Sequence, residues 1–122
     1  MSASEKINLN EKFDLFSERW SPKVVGQLNQ YDIRIAKIIG EFVWHSHDDT
    51  DEFFLIVKGQ MQMRLRDKTI DLKEGEIFVV PRGIEHQPFA EEECHILMLE
   101  PQGTLNTGAV TSDRTVHDLE RI

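Results

Sequence analysis

Hydrophobic and polar residues alternate with a period of two along much of this chain, a period typical of β-strands. The clearest example is residues 60–66, where Met61, Met63 and Leu65 alternate with glutamines and arginines. One face of that strand should be buried and the other wet. This alternation, or a short apolar run between turn residues, predicts strands over residues 24–28, 31–39, 42–47, 53–57, 60–66, 69–72, 77–80 and 94–99.

The spacing of these strands indicates the fold class. Short strands about ten residues apart, with turns between them and no long helical segment, favour an antiparallel sandwich or barrel. The fold is therefore predicted to be all-β. A hairpin is expected across Asn29 and Gln30, and the acidic residues 91–93 are expected to form a turn before the last strand.

Helical spacing occurs once, before the first strand. Phe13, Phe16 and Trp20 lie three or four residues apart, which places them on one face of a helix. Asn10 is predicted as its N-cap, and a Ser-Pro pair follows Trp20. We expect a short amphipathic helix over about residues 10–20, packed on the side of the domain.

The length of the chain, 122 residues, is that of one ordinary domain with a single core. We expect a single domain over residues 1–122, with its barrel core at about 24–101. Residues 103–122 are richer in Thr, Gly and Asp and show little periodicity. They are predicted to form either a lid or a wrapped tail, and the pattern does not choose between these.

The charge of the chain limits its partners. Lys and Arg total 14 against 22 Asp and Glu, giving a net charge of -8. Such a chain repels a phosphate backbone, so nucleic acid is not an expected partner. Cys94 is the single cysteine, so no internal disulfide can form, and we expect a buried, inert thiol. No apolar run has the length of a membrane span, which favours a cytoplasmic protein without membrane contact.

Two histidines lie two residues apart in a segment with strand character. His45 and His47 should therefore project from the same face, where two imidazoles can converge on one ion. Glu52 opens the next predicted strand and can add a carboxylate. Alternatively, Glu52 belongs to a solvated acidic turn with its neighbours, which is the interpretation we favour for Asp48, Asp49 and Asp51.

A third histidine follows a bend. Gly75 permits a tight turn, and Pro81 with Gly83 forces a second bend from which His86 emerges. By itself His86 would be read as a hydrogen-bonded turn histidine. His95 and His117 have no ligand spacing to another histidine and are expected to be ordinary.

Taken together, these segments resemble the two motifs of the cupin family. The first motif places a Gly, a His-x-His pair, a Glu and a second Gly in order, here Gly40, His45, His47, Glu52 and Gly59. The second places a Gly, a Pro-x-Gly and a His in order, here Gly75, Pro81, Gly83 and His86. Gly40 stands one residue closer to the His pair than is usual, and Ala90 replaces the family's Asn, but the ligand spacing is unchanged.

The resemblance covers about residues 24–101 and implies a double-stranded β-helix, or jelly-roll barrel, with one metal ion in its mouth. The implied ligands are His45, His47, Glu52 and His86. This donor set suits divalent Fe, Mn, Ni, Co or Zn and leaves coordination positions open for substrate. A homodimer is expected, as is common in the family.

The expected function is that of an enzyme acting on a small polar molecule, dioxygenase-like or isomerase-like. Phe54 and Ile56 are predicted to line its pocket. No catalytic residue beyond the ligands can be assigned. The sequence has no Lys or Arg cluster near the ligands that could bind a phosphate, which argues against a sugar-phosphate substrate. Arg82 is the one basic residue near His86. The alternatives are a non-catalytic binding or sensory module and a metal-stabilised structural protein.

Overall fold

The computed structural model describes residues 5–122, and within them one short helix precedes eight strands. In chain order the elements are α1 (Leu9–Phe13), β1 (Lys23–Leu28), β2 (Tyr31–Glu41), β3 (Glu52–Lys58), β4 (Gln60–Leu65), β5 (Thr69–Lys73), β6 (Ile77–Val80), β7 (His86–Pro101) and β8 (Glu120–Arg121). The predicted all-β class is confirmed. No helix of this part of the chain is long and apolar enough to cross a membrane.

Strand β7 organises the sheet. It runs antiparallel to β2 along one edge, and its other edge pairs first with β4 and then with β3. The sheet continues from β2 to β1 and β8, while β5 extends it beyond β4 and β6 extends it beyond β3. The result is a jelly-roll barrel in which alternate residues of each strand point inward.

The interior of the barrel is apolar. Met61 and Met63 are buried while Gln60 and Arg66 of the opposite face are exposed, as the alternation predicted. Cys94 is also buried, and burial raises the pKa of its thiol to about 12. A thiol with that pKa stays protonated at neutral pH and is a poor nucleophile.

The predicted helix over residues 10–20 is too long. Helix α1 ends at Phe13, and Asn8 is its N-cap, because the Asn8 side chain accepts from the Glu11 N–H. Phe13 packs in a cluster outside the barrel with Val25 and Ile35, whereas Trp20 packs in the barrel core. One helix face cannot reach both clusters, so the chain leaves the helix between them.

Two strand boundaries also differ from the prediction. Residues 42–47 form no strand: their pairing is a single bridge between His45 and His86, because this segment crosses the mouth of the barrel instead of joining a ladder. The predicted turn at 91–93 lies within β7, which begins at His86 rather than Cys94. Within the described part of the chain, residues 91–93 pair with no neighbouring strand and form an irregularity between the pairs Ile38–Cys94 and Gly40–Ala90; β7 continues through them because ladders with β2 form on both sides.

Candidate metal centre

Four side chains converge at the mouth of the barrel. One donor atom from each of His45, His47, Glu52 and His86 lies within 4.8 Å of the others. All four residues are at most 5% exposed. We call these four residues the candidate metal centre. They are the residues predicted from the two motifs.

Backbone hydrogen bonds join the two motifs. The His45 N–H donates to the His86 carbonyl at 3.0 Å and the His86 N–H returns to the His45 carbonyl at 2.9 Å. In the bend after β6, Gly83 has a φ of 79° and its N–H donates to the His47 carbonyl at 2.8 Å. Glu52, the first residue of β3, pairs with Val80 at the end of β6. The bend therefore returns the chain to the His pair at the level of Glu52.

The orientation of two imidazoles is fixed by their own backbone. The Nδ1 of His45 donates to the Val43 carbonyl, and the Nδ1 of His86 donates to the Ile84 carbonyl, each at 2.9 Å. When Nδ1 carries the proton in a neutral ring, Nε2 carries the lone pair that a metal ligand needs. Burial, aided by the nearby His86, lowers the pKa of His45 to about 4. His45 is therefore neutral at pH 7.

Glu52 remains ionised although it is buried. Burial acts to raise the pKa of its carboxyl, but its contacts with Glu100, His47 and His86 outweigh burial and hold that pKa well below its usual range. Its Oε1 lies 2.8 Å from His86 Nε2 and its Oε2 lies 3.1 Å from His47 Nε2. A buried carboxylate without a cation is costly.

These contacts fit a cation. Because Nδ1 of His86 donates to the Ile84 carbonyl, the 2.8 Å contact of its Nε2 with the Glu52 carboxylate requires positive charge, which either a second ring proton or a cation held by both groups supplies. His47 Nε2 is buried and has no hydrogen-bond partner of adequate geometry. Three nitrogens and one carboxylate in this arrangement match the donor set of a divalent transition metal.

Glu100 is a buried residue beside the candidate metal centre that the sequence analysis missed. It is 2% exposed, and burial together with the adjacent Glu52 carboxylate raises its pKa to about 11. Glu100 is therefore a neutral acid that can donate to Glu52. The period of two through Cys94, Ile96 and Met98 would have placed it inside the barrel had the predicted strand been extended by one residue.

A small apolar cavity of about 40 Å³ adjoins His45 and Glu52. Phe54 lines it, whereas Ile56 is fully buried elsewhere in the core and is not part of its wall. The other walls are mostly apolar: Trp20, Pro22, Ala36, Ile38, Phe42, Pro88, Ile96, Met98 and Asn106.

The C-terminal segment has features of both predicted alternatives. Its end pairs with β1 through β8, as a wrapped tail would. Its middle covers the candidate metal centre, because Gly108 lies against Ser46 and His47 and the Ala109 N–H donates to the Ser46 carbonyl at 3.2 Å. Between this segment and the acidic turn is a groove of about 490 Å³ that includes His47.

The remaining candidates lie apart from the centre. Asp48, Asp49 and Asp51 are exposed, as expected of a solvated turn. His95 stacks on Phe13, and His117 is exposed. Arg82 is also exposed, and its Nε lies 3.9 Å from the Asp51 Oδ1.

Family comparison agrees with this fold and these motifs. A family model described as a cupin domain matches residues 37–100, just over half of the chain. The chain belongs to the cupin family. In a structural comparison, a cupin-2 domain containing protein from Shewanella frigidimarina is 49% identical with a TM-score of 0.78, and the match covers 79% of this chain and 94% of that one.

Curated relatives include the uncharacterized protein YdbB of Bacillus subtilis, 33% identical over 52% of this chain and 57% of that protein. A 3-hydroxyanthranilate 3,4-dioxygenase of Brucella anthropi is 38% identical over 45% of this chain and 35% of that enzyme. The enzyme of the same name from Bacillus thuringiensis is 25% identical over 93% of this chain and 68% of that enzyme. The chain thus spans about half the length of YdbB and about a third of the Brucella enzyme.

Proposed function

We propose that this cupin holds one divalent transition metal ion, Fe, Mn, Ni, Co or Zn, between His45, His47, Glu52 and His86 and is a metal-dependent enzyme acting on a small molecule. The observation that carries the proposal is the convergence of three imidazoles and one carboxylate, all buried, whose donor atoms lie within 4.8 Å of one another. A bound ion would supply Lewis acidity and open coordination positions.

Within the proposed reactions, dioxygenase chemistry has more support than isomerisation. Four 3-hydroxyanthranilate 3,4-dioxygenases are among the relatives, and only their reaction class is extended to this chain. The alternative is a non-catalytic binding or sensory module. Turnover separates the two, because a binding module takes up ligand without converting it.

The chain's own residues have distinct tasks in this proposal. The Val43 and Ile84 carbonyls orient two of the imidazoles, and Glu100 steadies the Glu52 carboxylate. Phe54 helps to exclude water from the cavity beside the centre. A dry cavity strengthens every electrostatic interaction within it.

The test has two stages. Elemental analysis of protein purified without added metal should find about one transition-metal ion per chain, and adding Fe, Mn, Ni, Co or Zn to the stripped protein should raise its Tm. His47→Ala should abolish the rise, while His117→Ala, which changes an exposed histidine outside the centre, should retain it. A Tm that no metal changes would contradict the site.

The second stage measures reaction. Oxygen uptake by the Fe(II)-loaded protein against a panel of diketones, thiols and phenols should reveal turnover that His47→Ala abolishes. Ligand binding without turnover would favour the binding module.

The proposal extends to assembly and location. A homodimer is supported by β6, which pairs with β3 alone within residues 5–122 and carries the exposed Ile77 and Val79. A cytoplasmic location is supported by the single, buried Cys94.

A further inference from the structure

The cavity beside the candidate metal centre has no charged wall apart from the centre itself. His45 and Glu52 form its polar end, and apart from the Trp20 indole, whose N–H donates to the Ile39 carbonyl, the other polar side chain in the wall is that of Asn106. Both ends of that amide are already engaged: its Nδ2 donates to the Arg114 carbonyl at 2.8 Å and its Oδ1 accepts from the Val116 N–H at 2.9 Å. A molecule bound in the cavity would therefore contact apolar side chains and, at one end, the candidate metal centre.

The groove on the other side of the centre offers no cation either. Its charged side chains are Asp48 and Asp49, and the rest of its wall is His47 with uncharged residues of the C-terminal segment. An anionic group entering this way would meet two carboxylates. Neither approach to the centre, as described by the structure, includes a Lys or Arg in its wall.

Two arginines that neighbour wall residues of the cavity, Arg34 beside Met98 and Arg114 beside Trp20, have other partners. Arg34 is buried, and its guanidinium donates to Asp32 at 3.3 Å and to the Thr104 carbonyl at 2.8 Å. Arg114 lies over the Trp20 ring at 5.3 Å and is not part of the cavity wall. The Arg34 Nε has no hydrogen-bond partner among the described residues, but neither arginine forms part of the cavity wall.

From these charges we infer that the ligand of this site has a polar head that binds the metal and an uncharged, apolar body. The inference rests on the proposed metal centre and names the substrate class for it. A carboxylate or phosphate on the body would be buried without a counter-ion, which is costly. An anionic head is compatible, because it would lie on the ion.

Trp20 sets the size of that body. Its ring stacks on Phe42 with 4.7 Å between centroids, and its Nε1–H donates to the Ile39 carbonyl at 2.9 Å, so the indole is held from two sides. The cavity it bounds is about 40 Å³, whereas a dry cavity of ~150 Å³ is known to accept benzene. A ligand body of more than a few atoms would have to displace the Trp20 ring.

The inferred preference for an uncharged ligand body is tested on zinc-loaded protein with two hydroxamates of equal size, each with the same chelating head. One, 3-methylbutanohydroxamate, has a branched apolar body, and the other, malonic acid monohydroxamate, has a carboxylate there. Calorimetry should show the neutral compound binding at least about tenfold more tightly. Equal or tighter binding of the carboxylate compound would overturn the inference alone, while zinc that leaves the Tm unchanged would overturn the proposed function and the inference with it.

The role of Trp20 is tested by size. Trp20→Phe should tighten benzohydroxamate several-fold and leave acetohydroxamate unchanged, and Trp44→Phe, a matched change on a ring that packs on Arg66 instead, should change neither. Equal effects of the two substitutions on benzohydroxamate would contradict the assignment.

Tryptophan emission locates the bound ligand without relying on affinity, because Trp20 and Trp44 are the two tryptophans of the chain. In zinc-loaded Trp44→Phe, saturating acetohydroxamate should change the emission of Trp20. In Trp20→Phe the emission of Trp44 should not respond. The reverse pattern would exclude this cavity as the binding place.

Discussion

At the scale of single residues, the contact between His86 and Glu52 depends on the other partners of each side chain. Each residue has a second partner that fixes its state: the Ile84 carbonyl takes the Nδ1–H of His86, and Glu100 lies against the Glu52 carboxylate. The short contact between His86 Nε2 and the Glu52 carboxylate requires positive charge, which a ring proton or a bound cation supplies. The chemistry of the candidate metal centre thus depends on residues outside it.

Glu100 gives the first prediction. As a neutral acid beside Glu52 it acts as a hydrogen-bond donor, and the amide of Glu100→Gln can also donate. Zinc titrations against a competing chelator should therefore give Glu100→Gln an affinity within a few-fold of the wild type, and Glu100→Ala an affinity lower by about 10–100-fold. If Glu100→Gln is as harmful as Glu100→Ala, Glu100 acts as an anion and this account of it is wrong.

His45 gives a prediction about pH in the metal-free protein. Its folded pKa of about 4 lies below the value of 6.5 for an unperturbed histidine, so between these values the unfolded chain binds a proton that the folded chain does not. Acidification from pH 6.5 to 4 should therefore cost roughly 3 kcal/mol of stability through this group.

Urea unfolding across that pH range, in the wild type and in His45→Gln, isolates the contribution of His45 to the free energy of unfolding, because Glu100 and the other groups with shifted pKa values are present in both proteins. The wild type should lose more stability than His45→Gln on acidification, and His117→Gln should behave as the wild type. Parallel pH profiles for the wild type and His45→Gln would refute the prediction.

At the scale of elements, the C-terminal segment is the part that most affects access to the centre. Gly108 lies so close to the Ser46 carbonyl that a Cβ there would overlap it, and its φ is 59°. Gly103, in the same segment, has a φ of 87° but nothing within 4 Å of the place its Cβ would take. Both glycines have a positive φ, but only at Gly108 does another part of the chain, the Ser46 carbonyl, occupy the place of a Cβ.

This pair provides a matched test of the segment. Gly108→Ala should destabilise the protein by at least about 1 kcal/mol more than Gly103→Ala, because only the first adds a steric clash to the strain of a left-handed residue. Urea unfolding measures the difference, and limited proteolysis should cleave the C-terminal segment of Gly108→Ala faster. Equal costs would mean that the segment does not rest on Ser46 in solution.

At the scale of the whole molecule, one part of the barrel's outer surface remains apolar. Ile77 and Val79 of β6 are 57% and 45% exposed, and they pair with Leu55 and Phe53 of β3. Apolar side chains beside a free strand edge favour a second copy, because two β6 edges can pair antiparallel about a two-fold axis.

The predicted homodimer can therefore be disrupted at a single position. Ile77→Lys should convert dimer to monomer in sedimentation experiments at micromolar concentration, since it places a charge at the centre of the contact. Leu15→Lys changes another exposed apolar residue, 64% exposed and remote from β6 in sequence, and should leave the dimer intact. A wild type that is monomeric, or an Ile77→Lys dimer, would contradict this surface.

Local features of the sequence determined the all-β class, the hairpin at Asn29 and the four residues of the candidate metal centre, because strand period, turn chemistry and motif spacing act over a few residues. Tertiary structure decided the rest. The division of Phe13 and Trp20 between two clusters, the loss of a strand at 42–47, the role of Glu100 and the contact of Gly108 with Ser46 all depend on which distant segment lies opposite. That choice is made only when the barrel closes, since partners across it are set by the register of whole strands.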